Sequence, residues 1–278
     1  MTLAHVHPDP VAGPGTAAPV TAAATLLVLA YAVVARRLRR RGDVWPFGRD
    51  VSFTVGGLAA VWAVSATPPG GPFTQHVLRH LVLGMAVPLL VVLARPLTLA
   101  LRALPPGRPR RGLLVLAHSR PVGLLLCPPV AAVVDVGSLW LLYRTDLFAA
   151  LTNRPPLHGV MQVHMVAAGL LFTAAVCQLD PVRRRWSLGV RAASLLAAGA
   201  AHGVLARTLY ALPPPGTAFA PSDLHSGARW MYYGGDAMEL ALAVVLGLSW
   251  YGSRRAPRGR GGDTRRPSRK TATRATVP

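Results

Sequence analysis

The 278-residue chain is poor in the groups on which most soluble-protein chemistry depends. Its two cysteines, Cys127 and Cys177, are too few for a disulfide framework and lack the close pairing of a zinc or thioredoxin-type motif. Its sole lysine, Lys270, lies near the C-terminus, so no apolar stretch carries a lysine for a retinal Schiff base. Charged residues make up 14% and only ten are acidic. No nucleophile-and-base constellation and no phosphate-cradling loop stands out, which leaves hydrolase and nucleotide-driven functions without support. Internal repeats, the usual ground plan of transporters, are not found either. What is abundant is apolar surface: 52% of the residues are hydrophobic, in long uninterrupted blocks that exclude an ordinary soluble globule.

A bilayer core about 30 Å thick takes roughly 20 helical residues to cross. Seven stretches meet or approach that length: residues 20–35, 51–66, 76–94, 121–143, 157–178, 188–212 and 228–251. The first two are short and rich in Ala and Val, so six spans is the fallback count. The expected fold is all-α, a polytopic membrane helix bundle of seven transmembrane helices. Basic residues sit between the apolar blocks. Residues 36–50 and 95–120 carry six arginines each, 179–187 three, and 252–278 nine Lys or Arg, which is twenty-four of the thirty. Residues 1–19, 67–75 and 213–227 have none. Because cytoplasmic loops retain positive charge, this alternation places the N-terminus outside and the C-terminus in the cytoplasm of a bacterial plasma membrane.

No positive charge precedes the first apolar block and five arginines follow it, from Arg36 to Arg41, so it is expected to stay as an anchor and not to be cleaved. The expected organisation is an extracytoplasmic segment 1–19, a seven-helix transmembrane domain 20–252, and a disordered basic cytoplasmic tail 253–278. Such a tail holds anionic lipid, at about 1 kcal/mol per basic residue near the surface, and no nucleic-acid partner is expected.

Ionisable groups at bilayer depth cost about 2.5–3.5 kcal/mol each and need a partner or a purpose. His76 and His80 are one helical turn apart on the third span, hence on one face. At about 1.5 Å per residue, His80, Asp135, His164, His202 and Asp236 fall roughly 6–15 Å below the outer boundary on five different helices. Glu239 is one turn deeper than Asp236. Arg79 can pair with Asp135, Asp236 or Glu239, and His158 precedes His164 on the fifth span. Such a layer suits a copper ion or a proton relay, and Met161 and Met165 can add thioether, a good Cu(I) donor. Each group also has a plainer reading: an interhelical hydrogen bond for His202, interfacial placement for His76 and His158, an ion pair for Arg79, packing for the methionines and for the Gly199/Gly203 spacing. Both cysteines fall toward the other face of the membrane, as inert packing residues.

The stretch from Phe73 through His76, His80 and Pro88 to Arg95-Pro96 resembles the third-span signature of the CtaG-like cytochrome c oxidase assembly factors. Pro156-Leu157-His158 through His164 to Phe172 and Asp180-Pro181, Ala201-His202-Gly203, and Asp223 to Gly227 with Tyr232 and Gly235-Asp236 are similar to further segments of that family, covering about residues 20–252. The resemblance implies a non-enzymatic role in oxidase assembly around copper delivery, with oxidase subunits or copper chaperones as partners. The chain departs from the family pattern where Val77 and Leu81 follow the paired histidines in place of Met, where Tyr143 and Gln162 replace His, and where Asp236 replaces Glu.

The candidate copper ligands are therefore His76, His80, His164 and His202, with Asp135 and Asp236 orienting imidazoles and Glu239, Arg79 and His158 nearby as relay groups. Two other functions use the same residues. One is a permease for copper or protons, and the other is a haem-binding membrane protein with paired axial histidines.

Overall fold

The computed structural model describes residues 14–152 and 154–255, apart from the side chains of residues 14–17, 152, 155, 156, 158, 253 and 255. All regular structure in it is helical. Every apolar stretch forms a helix: α1 (Pro14–Arg40), α2 (Phe47–Ser65), the third span, α8 (Pro128–Arg144), α10 (Pro155–Cys177), α11 (Leu188–Ala211) and α12 (Pro221–Arg255). Five of the described helical segments are both long and apolar enough to cross a bilayer: Ala18–Arg40, Pro72–Ala103, Gly159–Cys177, Leu188–Ala211 and Pro221–Gly252. Helix α2 and the 17-residue α8 fall below that mark.

Helix α8 is shorter than the apolar run containing it because Pro128 and Pro129 set its start. A residue before proline is biased out of the helical region, and proline is well suited to the first helical position. The preceding apolar residues form the separate one-and-a-half-turn α7 (Arg120–Leu125), which follows α6 (Arg108–Ala117); neither buries a side chain.

The third span is the most informative. It runs as α3 (Pro72–His80), a π-helical turn Leu81–Ala86 and α4 (Val87–Ala94), and α5 (Pro96–Ala103) follows after Arg95, whose φ of 53° ends the helix. The π turn has a covalent cause. Pro88 has no N–H to give Gly84, and its ring crowds the carbonyl four residues back. The backbone widens instead, and the Val87 N–H bonds to the Val82 carbonyl, five residues back. The freed Gly84 carbonyl faces α10, where Gly169 lets it in: a side-chain carbon on Gly169 would lie 1.9 Å from the Gly84 oxygen.

Around this axis α10, α11 and α12 pack with α3 and α8 to form two apolar cores. One holds Phe73, Val77, Tyr143, Leu205, Leu209 and Met231, and the other holds Val92, Phe172, Val176, Leu195 and Leu242. Helices α1 and α2 lie against α4 and α5, with Tyr31 donating to the Ala94 carbonyl at 2.7 Å. The arginine-rich loops gather at one end of the bundle. There Arg39 pairs with Asp50, Arg102 reaches Asp43 at 2.7 Å, Arg49 stacks on Trp45, and Asp180 accepts from the Thr98 N–H at 2.9 Å near the start of α5.

Candidate functional site

At the opposite end a single carboxylate sets the position of the helix that carries the paired histidines. Asp223, in the first turn of α12, accepts from the N–H groups of Phe73 (2.9 Å) and Thr74 (3.0 Å), while the Thr74 hydroxyl donates to the Asp223 carbonyl at 3.1 Å. These amides are among those a helix N-terminus leaves without internal partners, and a carboxylate there also meets the positive end of the helix dipole. Gly71 makes the approach possible, since a side-chain carbon there would fall 2.4 Å from the Asp223 carboxyl carbon. Replacing Asp223 with Ala is expected to destabilise the bundle by about 2 kcal/mol, as for loss of a strong helix cap. A thermal melt of the detergent-solubilised protein reads this; an unchanged midpoint would mean the cap does not bind the two spans.

Below that clasp His80 and His202 face each other across the bundle centre, both 3% exposed, with ring centroids 6.1 Å apart. Neither ring nitrogen of His80 has a hydrogen-bond partner, nor has Nε2 of His202. Nδ1 of His202 lies 3.7 Å from Oε1 of Glu239. Glycines clear the room for each group. A carbon on Gly235 would strike the His202 ring at 2.3 Å, one on Gly199 would meet the Glu239 carboxylate at 2.0 Å, and one on Gly84 would lie 3.1 Å from Nδ1 of His80 and 3.2 Å from the Met165 side chain. Trp140 donates to the Ala201 carbonyl at 3.2 Å and so ties α8 to α11 beside His202.

His80 also lines a cavity of about 320 Å³ between α8, α9 (Leu147–Thr152) and α10. Asp135, Ser138, Met161, His164 and Met165 share that lining. The two thioethers are buried, Asp135 is half-buried and His164 is exposed. Among the described side chains, the other groups named from the sequence do not line this cavity. His76 sits edge-on to Phe148 (4.9 Å) and Tyr143 (5.9 Å) in an aromatic cluster. Asp236 is exposed in a groove between α11 and α12 that Glu239 also lines. Arg79 is buried, and the His158 side chain lies outside the described residues. Val77 and Leu81 are packed aliphatics in the first core. Cys127 and Cys177 are free thiols.

Among the described residues no three His, Cys, Asp or Glu side chains come close enough together to hold a metal ion. The depth estimate along the helices places these groups in a common layer, but their directions around each helix divide them between the imidazole pair, the cavity and the exposed groove between α11 and α12. The sequence reading missed Asp223 as the clasp and Gly84, Gly169, Gly199 and Gly235 as the space-makers. The available signals were the Gly70-Gly71-Pro72 run before a helix and the Pro88 placed four residues after Gly84.

The sequence profile of the family described as cytochrome c oxidase caa3 assembly factor matches residues 29–253. The chain is 37% identical over 173 residues to uncharacterized proteins of Mycobacterium bovis and Mycobacterium tuberculosis, covering 59% of this chain and 26% of each relative. An uncharacterized Mycobacterium leprae protein is 31% identical over 251 residues, covering 82% of this chain and 38% of the relative. The chain thus spans well under half the length of these relatives. No solved structure matches.

Proposed function

Because the chain belongs to the cytochrome c oxidase caa3 assembly factor family, we propose that it serves oxidase assembly by holding copper as cargo between His80 and His202. It is a multi-pass protein of the bacterial plasma membrane, from a family of assembly factors and not of enzymes. In our reading seven helices span the membrane with the N-terminus outside, so that α2 and α8 cross as short spans and the arginine-rich loops face the cytoplasm. The basic tail then meets anionic lipid, and oxidase subunits or copper chaperones are the partners.

The observation that carries the copper reading is the imidazole pair with three ring nitrogens left without hydrogen bonds. Buried polar atoms are ordinarily satisfied, and orphans in a native interior call for an explanation such as an ion. Two imidazoles on one ion, with metal–nitrogen bonds of about 2 Å, stand with ring centres on the order of 6 Å apart, close to the separation seen. Two nitrogen donors with thioether nearby suit Cu(I), which accepts low coordination numbers and soft ligands. The thioethers of Met161 and Met165 with His164 line the adjoining cavity, which gives the ion a way to reach His80. Glu239 stands behind His202 with its Oε1 3.7 Å from Nδ1, too far for a hydrogen bond but the nearest carboxylate to that ring among the described residues.

A competition titration of the purified full-length protein with Cu(I) is expected to give about one ion per chain. Failure to take up Cu(I) in competition with a weak chelator would remove the copper reading and leave family membership standing.

A further inference from the structure

We propose that Arg207 and Arg229, at the end of the bundle away from the arginine-rich loops, hold the phosphate of a phospholipid head group in the cleft between α11 and α12. The two arginines come from facing helices and line one cavity of about 340 Å³ with Tyr210, Tyr232 and Tyr233. Both are exposed, and neither forms an ion pair with a carboxylate among the described residues. Their contacts are with aromatic groups: the Arg207 guanidinium donates to the Tyr232 hydroxyl at 3.2 Å and lies over its ring, and Arg229 lies 5.9 Å over the Tyr210 ring. Tyr210 is in turn stacked on His225 at 4.2 Å.

No carboxylate lines the cavity that the two guanidinium groups share, and Asp236 and Glu239, which border the neighbouring groove with Arg207, form no ion pair with it, so an anion between the two arginines offsets their mutual repulsion. Guanidinium is the side chain that matches phosphate oxygens with paired N–H donors. The height of the cleft identifies the source of the phosphate. Arg207 is one turn from the end of α11, and the 32-residue apolar segment Pro221–Gly252 is about 48 Å long, far more than a 30 Å hydrocarbon core, so Arg229 stands near the head-group level. Trp230 (52% exposed) and Tyr233 (69% exposed) face outward beside it, as aromatic residues do in the interfacial belt. The ordinary charge rule gathers arginines at the other end of the bundle, so the convergence of these two is not part of the topology signal. Basic pockets between membrane helices are a recognised mode of head-group binding. The site is independent of the copper reading.

The test uses the delipidated full-length protein in neutral detergent, with bound lipid counted by native mass spectrometry as phosphatidylglycerol is added. One lipid is expected to be retained by the unaltered protein, and R207Q/R229Q is expected to bind at least 10-fold more weakly. R154Q, an exposed arginine outside the cleft, should bind like the unaltered protein. R207K/R229K, which keeps the charge but not the paired donors, should fall between. Equal retention by R207Q/R229Q overturns the proposal. If that variant does not fold, the unaltered protein still decides: diacylglycerol with the same chains should not be retained, and retention equal to that of phosphatidylglycerol overturns the assignment. Displacement of the lipid by millimolar inorganic phosphate would assign the cleft to a soluble anion and overturn it as well.

Discussion

Gly169→Val is expected to lower the stability of the detergent-solubilised bundle by about 3 kcal/mol, the upper part of the range for overpacking a filled interior. The obstacle is backbone and not a side chain. Even a single carbon at residue 169 would meet the Gly84 carbonyl at 1.9 Å, with the Gly84 carbonyl carbon at 2.8 Å and the Pro88 ring at 3.0 Å behind it. A flexible side chain can step aside, whereas this carbonyl is held in place by the π turn that Pro88 imposes. Gly189→Val is the control. It makes the same change in the first turn of α11, where nothing lies within 4 Å, so it carries the small helix-propensity gain of replacing glycine by valine without the collision. Thermal midpoints of the two variants separate the effects. Equal midpoints would show that α10 and the third span do not meet at Gly84.

The second large effect concerns the imidazole pair. His80→Ala and His202→Ala are each expected to weaken Cu(I) binding at least 10-fold, the scale for losing a direct ligand. If both rings hold the same ion, the double variant should bind little more weakly than either single one, because the second substitution removes a ligand from a site already broken. Additive losses would mean two separate sites. His76→Ala serves as the contrast. Its ring contacts Tyr143 and Phe148, so its loss should lower the thermal midpoint while leaving Cu(I) affinity within about 3-fold of the unaltered protein. Loss of copper binding in His76→Ala with an unchanged midpoint would move the site up one helical turn.

The helices were legible because an apolar run long enough to cross a bilayer leaves the backbone no alternative to internal hydrogen bonding. Their ends were less so. The run 121–143 is apolar on both sides of Pro128 and Pro129, yet those two prolines divide it, and a local steric rule outweighs the hydropathy pattern there. For the site, position along each helix could be read by counting residues, which is how His80 and His202 were both assigned to one depth. Direction around the axis could not. It depends on which flank of each helix faces its neighbours, and in the third span it changes across the π turn. His76 and His80 share a face by spacing, but the former enters an aromatic cluster built from Tyr143 and Phe148 and the latter faces α11. The Asp223 clasp joins positions some 150 residues apart, a separation at which no local pattern gives a signal.

That clasp also bears on the order in which the molecule is made. Synthesis delivers the histidine-bearing third span early and residue 202 much later. Yet the carboxylate that fastens Phe73 and Thr74, and the bare Gly235 that admits the second imidazole, both belong to α12, which leaves the ribosome after both histidines. A nascent chain halted before residue 221 would contain both rings and lack the parts of α12 that pack against them, so the centre is completed only once α12 has been made.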